Sequence, residues 1–334
     1  MLKKLLTIGL GSWILVSCGG EDVNPEANSQ NEEETEVEDL IGDSKIEGYG
    51  RYKAATFVLN GKGYLVGGRI SPRTIKKDFW EYDPVQNVWT QLDDFPAAER
   101  NGAISFVADG LAYIGGGDAG AFTDDMFAFD AASKTWSDSK SPYPDDINNS
   151  FAVAEVIDGI AYVGFGGTNV SGTDYFYQYN PSLDEWTWIE NDVVPQRRGA
   201  VSFVLNGQMY IGLGYESFNS SYNDFYKFDP STKSWTKLND FPGEGRGDAI
   251  SFVLDGEAYV GTGFTYTEPN NTPVTFKDIW KYNLAEDSWT QVADYDGNPR
   301  YGMSVFVIED VAYLGMGYDS QFKGYNNFYK YTKQ

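Results

Sequence analysis

The side chains in this sequence that could do chemistry recur at fixed places in a repeating pattern. Arg51, Arg100, Arg197, Arg246 and Arg300 hold one such place, and one copy carries Asn149 there instead. Further along the same copies come Phe57, Phe106, Phe203, Phe252 and Phe306, but the copy with Asn149 has Glu155. A guanidinium is a planar, bidentate donor suited to a carboxylate, whether of a ligand or of the protein itself. A lone carboxylate among apolar positions must be paired, face water or take up a proton, because desolvation disfavours its charge. Perturbed acids of that kind serve acid–base catalysis, so Glu155 is the candidate catalytic residue. The plainer alternative is a hydrogen-bonded glutamate facing trapped water.

Other chemistry is removed by composition. The 334 residues include no histidine and a single cysteine, Cys18. Histidine-based triads, ordinary zinc sites and a histidine pH switch are therefore excluded, and no metal or cofactor is expected. Oxygen ligands for calcium exist near Asp118, Asp124 and Asp125, but such a cluster is more often a solvated loop. The net charge of −24 repels phosphate backbones, which makes nucleic acid a poor partner.

The elements that position these residues follow from self-similarity. The unit reads "NGAISFVADGLAYIGGG", a variable loop, then "DMFAFDAASKTW", and its marker tyrosines are Tyr64, Tyr113, Tyr162, Tyr210, Tyr259 and Tyr313. Asn60-Gly61, Asp109-Gly110, Asp158-Gly159, Asn206-Gly207 and Asp255-Gly256 lie between apolar runs and mark tight hairpins; Glu309-Asp310 is a weaker turn. A second turn falls at Asp83-Pro84, Asn180-Pro181 and Asp229-Pro230, and a tryptophan opens the last strand at Trp89, Trp136, Trp186, Trp235 and Trp289. Each unit is thus a four-stranded antiparallel meander, here with strands a to d, and six such units arranged radially form an all-β, six-bladed propeller.

The arginine before strand a, the turn glycine, the tyrosine followed by paired glycines, the Tyr-Asp-Pro and the late tryptophan resemble the kelch family over essentially everything after residue 50. The glycine pair relaxes in copies four to six, as at Gly212-Leu213-Gly214. The pairs are expected to let the rings of adjacent blades pack closely. Kelch proteins include the galactose oxidases, but their copper chemistry needs histidines and a tyrosine–cysteine cross-link that this chain lacks. They also include sialic acid mutarotases of bacterial envelopes, six-bladed propellers that work without a metal. No catalytic motif of theirs can be matched residue by residue.

At the amino end, Lys3 and Lys4 precede an apolar run to Val16, which reads as an export signal over residues 1–17. Leu15-Val16-Ser17-Cys18 resembles the lipobox of bacterial lipoproteins, which implies lipid attachment at Cys18 and a place in the bacterial cell envelope, on the outer membrane. Residues 18–36 are acidic, with almost no large apolar side chain, and are expected to form a disordered tether. The propeller spans 37–334.

The sixth copy stops before its strand d, so Val37 to Gly42 is expected to supply it beside Tyr329 and Tyr331, with Leu40 in the place of the tryptophan. Meander geometry puts all long loops on one face, where function concentrates. The arginines are expected around the channel mouth there, near Tyr215, Tyr266 and Tyr318. Together with Asn149 they form the candidate ligand-binding set, although for each arginine taken singly the leading reading is structural, a bond to loop carbonyls or to acids of neighbouring blades. Aromatic rings beside amides and carboxylates suit a glycan or an extended peptide. The expected function is a non-enzymatic binding module for a glycan, peptide or partner protein, and a metal-independent carbohydrate-active enzyme is the alternative.

Overall fold

The computed structural model describes residues 37–39, 46, 50–121, 123–137, 139–144, 150–167, 171–217, 220–267 and 272–333. The signal, the tether, Cys18, Leu40 and Asn149 lie outside them.

Each expected meander forms, giving six four-stranded antiparallel sheets. Blade 2 is typical, with Ile104–Ala108, Leu111–Gly115, Met126–Asp130 and Thr135–Trp136 as strands a to d. The innermost strands Ala55–Leu59, Ile104–Ala108, Val153–Ile157, Val201–Leu205, Ile250–Leu254 and Ser304–Ile308 pack in succession, the last against the first. The ring is closed through the sixth sheet, where Val37–Asp39 lies antiparallel to Phe328–Thr332. Val37 stands opposite Tyr331 and Asp39 opposite Tyr329, the neighbours expected from the repeat, and residues 40–42 of the expected strand lie outside the described residues.

Local chemistry explains the turns. Asn60 and Gly61 both adopt positive φ, 53° and 74°, as a two-residue hairpin requires. In the second turn the Asp83 carboxylate accepts the Val85 and Gln86 amides at 3.0 and 3.1 Å, a side-chain imitation of a backbone turn. Two of the variable loops between strands b and c are themselves paired. Residues 69–77 lie in the long hairpin Lys62–Ser71 and Thr74–Asp83, and blade 5 adds the hairpin Phe264–Thr267 with Thr272–Thr275. β-branched and aromatic residues give these segments their β character, Ile70, Thr74 and Ile75 in the first and Phe264, Thr265, Tyr266 and Thr267 in the second.

The core lies in the seams between blades. Phe57 stacks on Tyr64 at 4.9 Å and reaches Phe129 of blade 2. Truncating such a ring to alanine costs about 3–5 kcal/mol. The glycine pairs serve a different purpose from the one expected. A Cβ on Gly68, whose φ is +91°, would come 2.9 Å from the Ala54 Cβ. The second glycine thus admits the chain entering strand a, whereas the first position, where a Cβ on the Gly67 of blade 1 would come 2.6 Å from the Arg100 carbonyl, keeps a positive φ but not glycine in the later blades. Phe165, Leu213, Thr262 and Met316 adopt it at 56–59°, so the relaxation begins in blade 3.

Candidate functional site at the axial mouth

The arginines do not form the mouth. All five are between 0 and 2% exposed and point into their own blades. Arg197 donates to the Leu213 carbonyl at 3.0 Å and clasps Asp224 at 2.7 and 3.0 Å. Arg51, Arg100 and Arg246 do the same with Asp78, Asp125 and Asp278. Burial alone would raise the Asp78 carboxyl, but the Arg51 guanidinium holds it below its ordinary value. Arg300 meets Asn327 instead of an acid, and burial lowers its guanidinium. Loop aromatics stack on these spokes, Tyr325 over Arg300 at 4.0 Å and Phe276 over Arg246 at 3.9 Å. Blade 3 has no such ion pair, because Tyr175 stands where the others carry the acid, next to Phe176 opposite Gly164. The acids near 118–125 are likewise engaged, Asp118 by Arg69 at 2.9 Å and Asp125 by Arg100.

The mouth is built one step further along the chain. Lys53, Gly102, Phe151, Gly199, Asp248 and Gly302 each have a positive φ between 50° and 64°. Their amides and carbonyls form a closed ring of hydrogen bonds. Lys53 donates to Gly302, Gly302 to Asp248, Asp248 to Gly199, Gly199 to Phe151, Phe151 to Gly102 and Gly102 to Lys53, all at 2.8–3.0 Å. Side chains therefore alternate with glycines around the axis, and the alternation has a steric cause. A Cβ would come 2.1 Å from the Tyr52 ring at Gly302, 2.4 Å from the Asp248 carboxylate at Gly199 and 3.0 Å from the Phe151 ring at Gly102.

Lys53 and Asp248 meet across blade 6 at 3.0 Å, and the Tyr52 hydroxyl donates to the same carboxylate at 2.6 Å. Around this bridge stand Tyr215, Phe264, Tyr301 and Tyr318, all buried, with Tyr52 and Tyr266 half-buried against them. Phe264 packs on Tyr301 at 4.6 Å and edge-on to Tyr266 at 5.2 Å. The Arg198 guanidinium lies 4.8 Å above Tyr215. Burial, then the Asp248 charge, raise the phenols of Tyr52 and Tyr215 well above their ordinary value, and burial lifts Tyr318 to about 12. These rings stay neutral donors at physiological pH. Of the expected set, Tyr215, Tyr266 and Tyr318 come together here. Lys53, Asp248, Tyr52, Arg198 and Tyr301 were missed, although the alternation two residues after each arginine was readable.

Below the collar the channel holds about 250 Å³, bordered by Lys53, Phe151 and Glu155 among others, and a further chamber of about 360 Å³ lies at Glu155, Ser251 and Val305. Hydroxyls tie neighbouring blades along it. Ser105 donates to the Thr56 carbonyl at 2.8 Å, Thr56 to Val305 at 2.7 Å and Ser251 to Ser202 at 2.7 Å. Ser202 breaks the pattern and donates to the Glu155 carboxylate at 2.7 Å, across the seam of blades 3 and 4. Burial pushes Glu155 up to about 7, against the lowering effect of Ser202. Glu155 is thus biased toward its protonated form, hydrogen-bonded and bordering the channel.

Comparison with known proteins agrees with this architecture. The solved structure of YjhT superposes with a TM-score of 0.73, covering 88% of this chain and 100% of that one at 13% identity, a likeness of fold. No match was found among the curated proteins. The kelch motif matches residues 50–96, and the Attractin/LZTR1 beta-propeller model matches residues 96–325. The chain belongs to the Attractin/LZTR1 family of beta-propellers, built from kelch repeats.

Proposed function

We propose that this chain is a non-enzymatic binding module that holds a glycan at the axial mouth of its long-loop face. The observation that carries this reading is the Lys53–Asp248–Tyr52 bridge set within fixed aromatic rings. The Lys53 ammonium and the half-buried phenols of Tyr52 and Tyr266 offer polar partners to hydroxyl groups, the buried Asp248 carboxylate holds Lys53 and Tyr52 in place, and the rings take the apolar face of a sugar. Because the collar is locked by backbone bonds from every blade, little ordering cost falls on binding. Peptides and partner proteins are the competing ligands, and a glycan and peptide array probed with the full chain separates them. Saturable binding to glycans, weakened in Asp248→Asn and Tyr266→Ala, supports the reading; binding to peptides alone replaces it.

The enzymatic alternative, a metal-independent carbohydrate-active enzyme similar to the sialic acid mutarotases, rests on Glu155 beside the channel. Proton NMR of anomer exchange in free sialic acid tests it. Acceleration that disappears in Glu155→Gln would favour catalysis over simple binding. We further propose display from the bacterial outer membrane through a lipid on Cys18. Radiolabelled palmitate should enter the wild-type protein and fail to enter Cys18→Ser.

A further inference from the structure

Blade 3 departs from the other blades at its outer rim as well as at the axis. Opposite Tyr226, Trp80 and Trp280, the outermost strands of blades 4, 1 and 5 carry Lys237, Gln91 and Gln291. The corresponding residue of blade 3, opposite Tyr177, is Trp188. Its indole is 47% exposed.

The ring is nevertheless held firmly. Tyr175 meets it edge-on at 5.6 Å and 65°, and Tyr177 at 5.1 Å and 76°. Tyr177 rests in turn on buried Tyr143, which packs on Trp186, so the exposed indole is the last step of an aromatic stair rooted between blades 2 and 3. The turn that follows is pinned as well. Ile189 and Val194 are buried, and the Asn191 amide donates to the carbonyls of Asp174 and Val194 at 3.1 and 2.9 Å. On this fixed turn Glu190, Asp192 and Val193 are exposed.

We propose that Trp188, with Tyr175 and the Glu190–Val193 turn, is a second carbohydrate subsite that stacks one ring of a neutral or amino-bearing polysaccharide. An indole held edge-on by two phenols presents a flat face without rotamer loss on binding, as sugar stacking requires. Its exposed apolar neighbour is a single valine, too small an area for stable protein docking. The flanking carboxylates accept sugar hydroxyls and repel anionic polymers and acidic membranes. Tyr175 contributes because blade 3 has given up the ion pair at that position. This subsite is independent of the axial mouth.

Affinity electrophoresis of the full chain through gels containing β-glucan, mannan, xylan or chitosan tests it, with polygalacturonate as the anionic control. The wild type should be retarded by at least one of the first four and not by polygalacturonate. Trp188→Ala and Trp188→Gln, the residue type of blades 1 and 5, should weaken that retardation at least 10-fold without shifting the melting temperature, while Tyr266→Ala leaves it in place. Retardation unchanged by both Trp188 substitutions, none by any of the four polymers, or retardation by polygalacturonate would overturn the proposal.

Discussion

Two sets of residues, only two positions apart in the chain, meet opposite fates. Arg51, Arg100, Arg197, Arg246 and Arg300 are sealed within their blades, whereas Lys53, Phe151 and Asp248 crowd the axis and close the mouth. The recurrent charged residue is the one the scaffold uses, tying strand a to the loop between strands b and c. The position that varies, alternating with glycine, is the one that lines the axis, where Asp248 is buried and Lys53 is its partly exposed partner. In a propeller, repetition marks structure and departure from repetition marks the candidate site. Glu155 and Trp188 belong with the departures.

That contrast can be broken by substitution. The largest effect is expected at a spoke. Arg197→Ala leaves the largely enclosed Asp224 carboxylate with the Tyr226 hydroxyl but no guanidinium as partner, and breaking a buried pair costs up to about 3–5 kcal/mol. Chemical denaturation should show this loss with any ligand affinity at the mouth retained in the folded fraction. Removing residues 37–39 along with everything before them uncovers the edge of Phe328–Thr332 and should lower the melting temperature by several degrees; an unchanged value would contradict closure through that strand.

Glu155 comes next. Its carboxyl is raised from 4.5 to about 7 in the folded protein. Folding therefore favours the protonated acid, and the stability this gives is complete below pH 4.5 and lost as pH rises through 7. The loss amounts to at most roughly 3 kcal/mol. Denaturation at pH 5 and pH 8 should show it in the wild type, and Glu155→Gln should remove that part of the pH dependence. Glu155→Phe, restoring the residue of the other five seams, should be more stable than the wild type at pH 8. A smaller effect still is expected for Lys134→Ala, whose ammonium is half exposed beside Glu81, with a change of about 0–1 kcal/mol.

Much of the architecture was legible before any coordinate. Tyrosine spacing fixed the blade number, Asn-Gly and Asp-Gly placed the hairpins, and the early end of the sixth copy pointed to residues 37–42. The arginines were ambiguous because a buried bidentate partner and a ligand clamp have the same residue type. Their partners could have been read from the acid just before strand c at Asp78, Asp125, Asp224 and Asp278. Lys53 and Asp248 are ordinary residues singly, separated by nearly the whole ring in sequence, and only closure brings them within 3.0 Å. The paired glycines were misread because positive φ and backbone approach, rather than ring packing, decide those positions.

The most direct test is calorimetric titration of the glycan selected on the array against wild type, Asp248→Asn and Lys62→Ala. Asparagine keeps an acceptor for Tyr52 but removes the charge at the mouth, while Lys62 lies beside the Asn60-Gly61 turn on the opposite face. The account predicts binding at least 10-fold weaker in Asp248→Asn, about 1.4 kcal/mol, and unaltered in Lys62→Ala. Full affinity in Asp248→Asn, or its loss in Lys62→Ala, would contradict a binding site at the axial mouth.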